Sequence, residues 1–157
     1  MGRRLALPSE SVMFKHLLVP TDGSELSLRA AQTAIELARI SHARIHALHV
    51  VMPFHTVSYL AEALAATELS YTQESIAQAE RYLAQVRDRA AAAGVSCDSS
   101  YVLDDCPYKA IVRTATEKSC DLIVMASHGW RGLNRLLLGS ETHKVLLQSE
   151  IPVLVCR

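Results

Sequence analysis

The chain is expected to fold as an α/β domain, a three-layer α/β/α arrangement around an open sheet of about five parallel strands. Three observations predict this. Short apolar runs rich in Leu, Ile and Val alternate with segments whose apolar residues recur at helical spacing. The connections between successive runs are at least about ten residues long, as crossovers between parallel strands require. The central runs are apolar throughout rather than alternating, so they are read as strands covered on both faces.

Phe14–Pro20 (FKHLLVP) reads as the first strand. Ser24 or a neighbour then caps a helix to about Ile40, with Ala31, Ala34, Ile35 and Ala38 at helical spacing. Arg44–Val51 (RIHALHVV) is the second strand, ended by Pro53. Residues 54–70 are rich in alanine but irregular in polarity, and fit either a loop or a helix. From about Tyr71 to Ala93 the pattern is helical: Ile76, Ala79, Tyr82 or Leu83, Val86 and Ala90 form a stripe that Gly94 stops. Ser96–Leu103 is a more polar strand and is placed at a sheet edge. Tyr108–Lys118 reads as a short helix and Leu122–Ser127 as a buried strand. Leu133–Leu147 is helical with a break at Gly139, and Pro152–Cys156 is the last strand, with proline tolerated as its first residue.

The expected organisation is one domain over 13–157, preceded by a flexible tail over 1–12. No apolar run approaches the roughly 20 residues of a membrane span, and the N-terminus has two arginines but no apolar core of a signal peptide. Gly2 is not followed by Ser or Thr at position 6, where Ala6 stands, which argues against myristoylation. Sixteen basic residues balance 16 acidic ones, so there is no electrostatic footprint for nucleic acid or a membrane surface. The four cysteines, Cys97, Cys106, Cys120 and Cys156, are widely spaced with no C-x-x-C, the pattern of reduced thiols in a cytoplasmic protein.

The chemistry is expected where the first and fourth strands end, at Pro20-Thr21-Asp22-Gly23-Ser24 and Ala126-Ser127-His128-Gly129. In open parallel sheets ligands sit beyond the carboxyl ends of strands, where strand order reverses. Gly139-Ser140 follows Gly129 after nine residues and opens another apolar run. Small residues at both points let backbone N–H groups approach a phosphate. Taken singly, Gly23 and Gly129 are equally well read as turn residues. Neither G-x-x-x-x-G-K-[ST] nor G-x-G-x-x-G occurs. Asp22 is placed to accept from a ribose hydroxyl, to hold Mg2+ through water, or to cap the following helix. Arg131 is read equally as a phosphate partner or a solvated loop residue, and Trp130 as a partly exposed aromatic at a turn or dimer contact. His46 and His49 point to opposite faces of their strand, so they are assigned structural rather than metal-binding roles.

These residues resemble the nucleotide-binding members of the universal stress protein family, which carry G-x-x-G, nine residues, then G-[ST]. Here the pattern stands as Ala126-x-x-Gly129, nine residues, Gly139-Ser140, with alanine replacing the first glycine. The opening VPTDGSE, the second strand's His49-Val50 and the closing PVLV also match, so the resemblance covers about residues 13 to 157. It implies a Rossmann-like sheet ordered 3-2-1-4-5, a homodimer, and ATP, with or without Mg2+, in the cleft between strands one and four. Carried over residue by residue, Pro20, Thr21 and Asp22 lie beside the adenosine. Val50 packs on the adenine, and Met125 and Ala126 line base and ribose. Ser127 lies in the same turn, where His128, Gly129 and the following Arg131 approach phosphate. Gly139, Ser140, Glu141 and Thr142 close the phosphate end at a helix start. Ala126 is expected to weaken binding only if that position needs a glycine's dihedrals.

The final strand, short and apolar, is a sheet edge that must be covered or paired, and pairing with a two-fold mate meets that need. Three functions follow as alternatives: an ATP-binding dimeric regulatory module in the stress response, acting through a protein partner the sequence does not name; a slow ATPase; or a nucleotide-free interaction module. No general base for hydrolysis is evident, and neither H-x-G-H nor S-G-G-x-D-S, motifs of transferases of related architecture, is present.

Overall fold

The computed structural model describes residues 13–54, 65–130 and 138–157. The first twelve residues, most of the ambiguous 54–70 stretch, Arg131 and the start of the expected 133–147 helix lie outside them.

Five strands, β1 (His16–Pro20), β2 (Arg44–Val51), β3 (Cys97–Leu103), β4 (Leu122–Ala126) and β5 (Val153–Cys156), alternate with four described helices, α1 (Glu25–Ser41), α2 (Ala65–Ala92), α3 (Pro107–Glu117) and α4 (Ser140–Gln148). The sheet is parallel throughout and ordered β3-β2-β1-β4-β5. The α/β class, the strand order and the edge positions of β3 and β5 are as expected. The differences lie at element ends. Helix α2 begins at Ala65 rather than Tyr71, so 65–70 is helix rather than loop. Helix α4 begins at Ser140, because Gly139 is its N-cap, in extended conformation at φ −60 and ψ 148.

Period-two alternation divides the strands between two cores. Leu17, Val19, Ile45, Ala47, Leu122 and Val124 face α1 and α2, where Ala31, Ala34, Ile35 and Ala38 meet Leu83, Val86 and Ala90. Leu18, Leu48, Ile123 and Met125 face α3 and α4 through Ile111, Ala115 and Val145. Leu83 is the fully buried member of the α2 stripe, whereas Tyr82 is half-buried and turns its ring edge toward His49, with centroids 5.4 Å apart. α2 packs on β2 and β3 while α1 spans β1 and β4. Two of the described helices thus cover each face of the sheet.

Candidate functional site

The turn after β1 is built by its own side chains. Ser24 caps α1, its Oγ accepting from the Ser27 N–H at 3.2 Å. Asp22 Oδ1 accepts from the Ser24 N–H at 3.0 Å, closing the turn that feeds the helix. Gly23 has φ +76, and a Cβ there would run into the Tyr82 ring, so the position demands glycine twice over. Thr21 is buried and fully engaged. Its hydroxyl lies 3.0 Å from Ser27 Oγ and accepts from the Gly23 N–H, its N–H donates to the Leu48 carbonyl, and its carbonyl lies 2.7 Å from His49 Nδ1. Thr21 thus fixes the floor of the cleft rather than offering groups to it.

The turn after β4 is brought against this one. The Trp130 backbone N–H donates to Asp22 Oδ2 at 3.1 Å, and its indole Nε1–H donates to the Asp22 carbonyl at 2.7 Å. Gly129 lies so close to the Asp22 carboxylate that a Cβ would strike Oδ2. The two turns singled out in the sequence are therefore one structure, with Asp22 as the half-buried carboxylate at its centre.

Ala126 is the last residue of β4, paired in register with Cys156, and among the described residues only His42 and Ser119 are non-glycines with positive φ. Alanine therefore needs no glycine dihedral here. Its carbonyl accepts from the Thr142 hydroxyl at 2.9 Å, and the Ser127 carbonyl accepts from the Gly139 N–H at 2.7 Å. These two bonds dock the start of α4 against the end of β4. A Cβ on Gly139 would lie 3.0 Å from the Ser127 carbonyl oxygen and 3.1 Å from His128 Cα, tighter than side chains tolerate. Gly139 supplies no side-chain cap, so the N–H groups of the first turn of α4 lack the partner that Ser24 gives to α1. That end is a ready anion site, supported by the helix dipole.

The remaining expected residues separate into lining and support. Pro20 and Val50 are half-buried at the ends of β1 and β2, and Met125 and Ser127 are buried at the end of β4. Ser127 Oγ lies 3.0 Å from His128 Nδ1, and His128 is half-buried. Ser140 is exposed at the helix start. Thr142 is buried and serves the docking. Glu141 turns toward α3: it accepts from the Tyr108 N–H at 2.9 Å, where Cys106 provides no side-chain cap, and pairs with Lys144 at 2.9 Å. That bond also holds the Lys144 ammonium above its ordinary range. Sequence reasoning missed two participants, the Trp130 indole on Asp22 and the His49 imidazole under Thr21. Only the strand register could have pointed to His49, since β2 pairs with β1 along its length.

The chain matches the family model described as universal stress protein family over residues 13–157. It is 34% identical over 145 residues to a universal stress protein of Methanocaldococcus jannaschii, covering 92% of this chain and 83% of that protein. Its fold is similar to that of the universal stress protein UspA of Lactobacillus plantarum, with a TM-score of 0.80, 25% identity, and coverage of 91% and 97% of the two chains. It is also similar to a universal stress protein solved in complex with cAMP, with a TM-score of 0.68, 29% identity, and coverage of 92% and 97%. With the match spanning the whole sheet and both turns of the cleft, the chain belongs to the universal stress protein family.

Proposed function

We propose that this chain is an ATP-binding regulatory module of the stress response. The carrying observation is the uncapped start of α4, held by Gly139 against the Ser127–His128 backbone of the turn that also meets Asp22 through Gly129 and Trp130. Phosphates are held by the first-turn N–H groups and the Ser140 hydroxyl, and the ribose by Asp22. The adenine rests on Pro20, Val50 and Met125. The cyclic adenine nucleotide held by a relative supports an adenine nucleotide as ligand. Asp22 would hold Mg2+ through water, and the ion would supply positive charge to the phosphates.

Catalysis is not the assigned role. Glu141, the nearest other carboxylate of the motif, is engaged by Tyr108 and Lys144 and so is not held free to activate water. Hydrolysis, where measured, is therefore slow. The Trp130 contacts to Asp22 favour one second reading, a nucleotide-free interaction module in which the indole stands where the ribose would otherwise engage.

The module acts as a homodimer through β5. Ile123 of β4 and Ser127 just after it donate to the Pro152 and Cys156 carbonyls, so the even-numbered residues of this segment bond inward and the N–H groups of Val153 and Val155 face the outer edge. Leu154 and Leu147 are exposed nearby. Val155→Pro removes an outward donor only and should yield a monomer by sedimentation; a dimer that persists places the interface elsewhere. A cytoplasmic setting agrees with free cysteines, two of which, Cys97 and Cys120, are pushed by burial up to about 11.

The deciding experiment purifies the protein without added nucleotide, denatures it and chromatographs the supernatant. Near-stoichiometric ATP or ADP is expected. Absence of nucleotide, together with no calorimetric response to millimolar ATP, establishes the nucleotide-free reading instead.

A further inference from the structure

A cavity of about 530 Å3 lies at the opposite end of the sheet, and its lining includes His16, Arg44, His46, Asp98, Glu117 and Lys118. The strand registers explain the gathering. His16 pairs with Arg44 and His46 with Asp98, so the alternation that turns Leu18 and Leu48 toward α3 turns these polar residues to the same face. Helix α3 ends at Glu117, and the sheet beyond its end is left to side chains of β1, β2 and β3.

Both imidazoles are buried, His16 at 7% exposure and His46 at 4%. His16 Nδ1 lies 3.0 Å from the Lys118 carbonyl oxygen, which can only accept, so Nδ1 carries the proton and Nε2 presents a lone pair. That Nε2 is buried with no hydrogen-bond partner. His46 Nε2 lies 2.8 Å from Ser100 Oγ, and the two rings meet edge-on with centroids 6.4 Å apart. Burial first, then the Arg44 guanidinium, lowers the pKa of His16, against the weaker opposing pull of Asp121 and Asp98. Burial and the Lys118 ammonium do the same for His46. Both rings are therefore neutral at neutral pH. Among the described residues, the side chains of Arg44, Lys118 and Asp98 make no ion pair or hydrogen bond with protein groups.

The cavity is thus lined by two exposed cations, Arg44 and Lys118, and two exposed carboxylates, Asp98 and Glu117, of which Glu117 pairs with Arg113 at 3.9 Å, beside the two buried imidazoles. A metal ion does not fit, because among the described residues no three ligating side chains converge. A fully deprotonated anion would satisfy the cations, but it would confront Asp98 and Glu117. A molecule carrying both a carboxylate and an ammonium group complements both signs of charge. We propose that this cavity is a second small-molecule site, separate from the nucleotide cleft, that takes a zwitterion of the free α-amino-acid type. Its carboxylate lies toward Arg44 and Lys118, and its ammonium toward Asp98.

The test uses the full chain labelled with 15N and the protein amino acids added one at a time at millimolar concentration, with acetate, methylamine and inorganic phosphate as controls. At least one amino acid should move the His16 imidazole nitrogens and the Arg44, Ser99 and Ser100 amides saturably, while the controls leave them in place. Arg44, an exposed side chain, should weaken that response about tenfold or more when changed to alanine. Asp98→Asn should do likewise, with the melting temperature and the response to ATP retained in both variants. The proposal is overturned if no amino acid moves these signals. Acetate or phosphate acting as strongly as an amino acid also overturns it, since the cavity is then a plain anion site. So does a response that survives in both variants.

Discussion

The described residues at the two ends of this sheet present opposite chemistry. The carboxyl end is made largely of backbone: Gly139 pressed against neighbouring main chain, Gly129 pressed against a carboxylate, an uncapped helix start, and that single carboxylate bound to the turn opposite. The amino end is made of side chains: buried neutral imidazoles ringed by unpaired charges. A backbone site selects by shape and fixed dipoles and suits phosphate. A side-chain site selects by complementary charge. If both proposals hold, one fold supports two recognitions that separate substitutions can remove.

The largest effect is expected from Gly139→Val. Its side chain would occupy the space against the Ser127 carbonyl and His128, and ATP affinity should fall about 100-fold, or ~3 kcal/mol. Calorimetry checks this, and an unchanged affinity would remove the helix start from the site.

Gly23→Ala forces a side chain into φ +76 and into the Tyr82 ring. Stability should drop by about 2 kcal/mol in a denaturant titration. Loss at this turn should not disturb the His16 and His46 signals, which keeps the two ends distinct.

Trp130→Phe deletes one hydrogen bond, from the indole to the Asp22 carbonyl, and leaves the backbone bond to Oδ2 in place. Affinity for ATP should weaken about fivefold, the value of one ordinary hydrogen bond that holds the carboxylate in position. Tighter binding would mean instead that the indole competes with the nucleotide.

The smallest effect belongs to the amino end and depends on pH. Folding holds the pKa of His16 and His46 below the ordinary 6.5. The unfolded chain takes up protons as pH falls through 6.5 while the folded chain does not, so this contribution is complete above that value and is lost on acidification toward the folded values. Between pH 7 and 5 the melting temperature should fall by about 4 °C more in the natural chain than in a His16→Gln, His46→Gln variant. Equal slopes would show that the imidazoles are not held neutral.

The same contrast decides what could be read from the sequence. Strand runs such as LIVM and HLLV, the Ser24 cap and the Gly94 stop are local signals, and the elements follow them closely. The glycine turns were legible because a backbone site needs glycine whatever packs around it. The partners of long polar side chains were not legible. Glu141, expected at the phosphate end, is used to cap α3, and Thr142 is buried as a brace, because the choice of partner depends on how α3 and α4 meet in space. His16 and His46 looked like strand residues of no special kind, since the open face beside α3 exists only once the sheet has its order. Helix α2 began earlier than its apolar stripe suggested because alanine-rich sequence sustains a helix without a buried face at every turn.

The central claim is that ATP occupies the carboxyl end of the sheet. Its most direct test is a 15N–1H titration of the full chain with ATP. The account predicts saturable shifts at Asp22, Gly129, Gly139 and Ser140 with His16, His46 and Ser100 unmoved. Shifts confined to the amino end, or none at millimolar ATP, would contradict it.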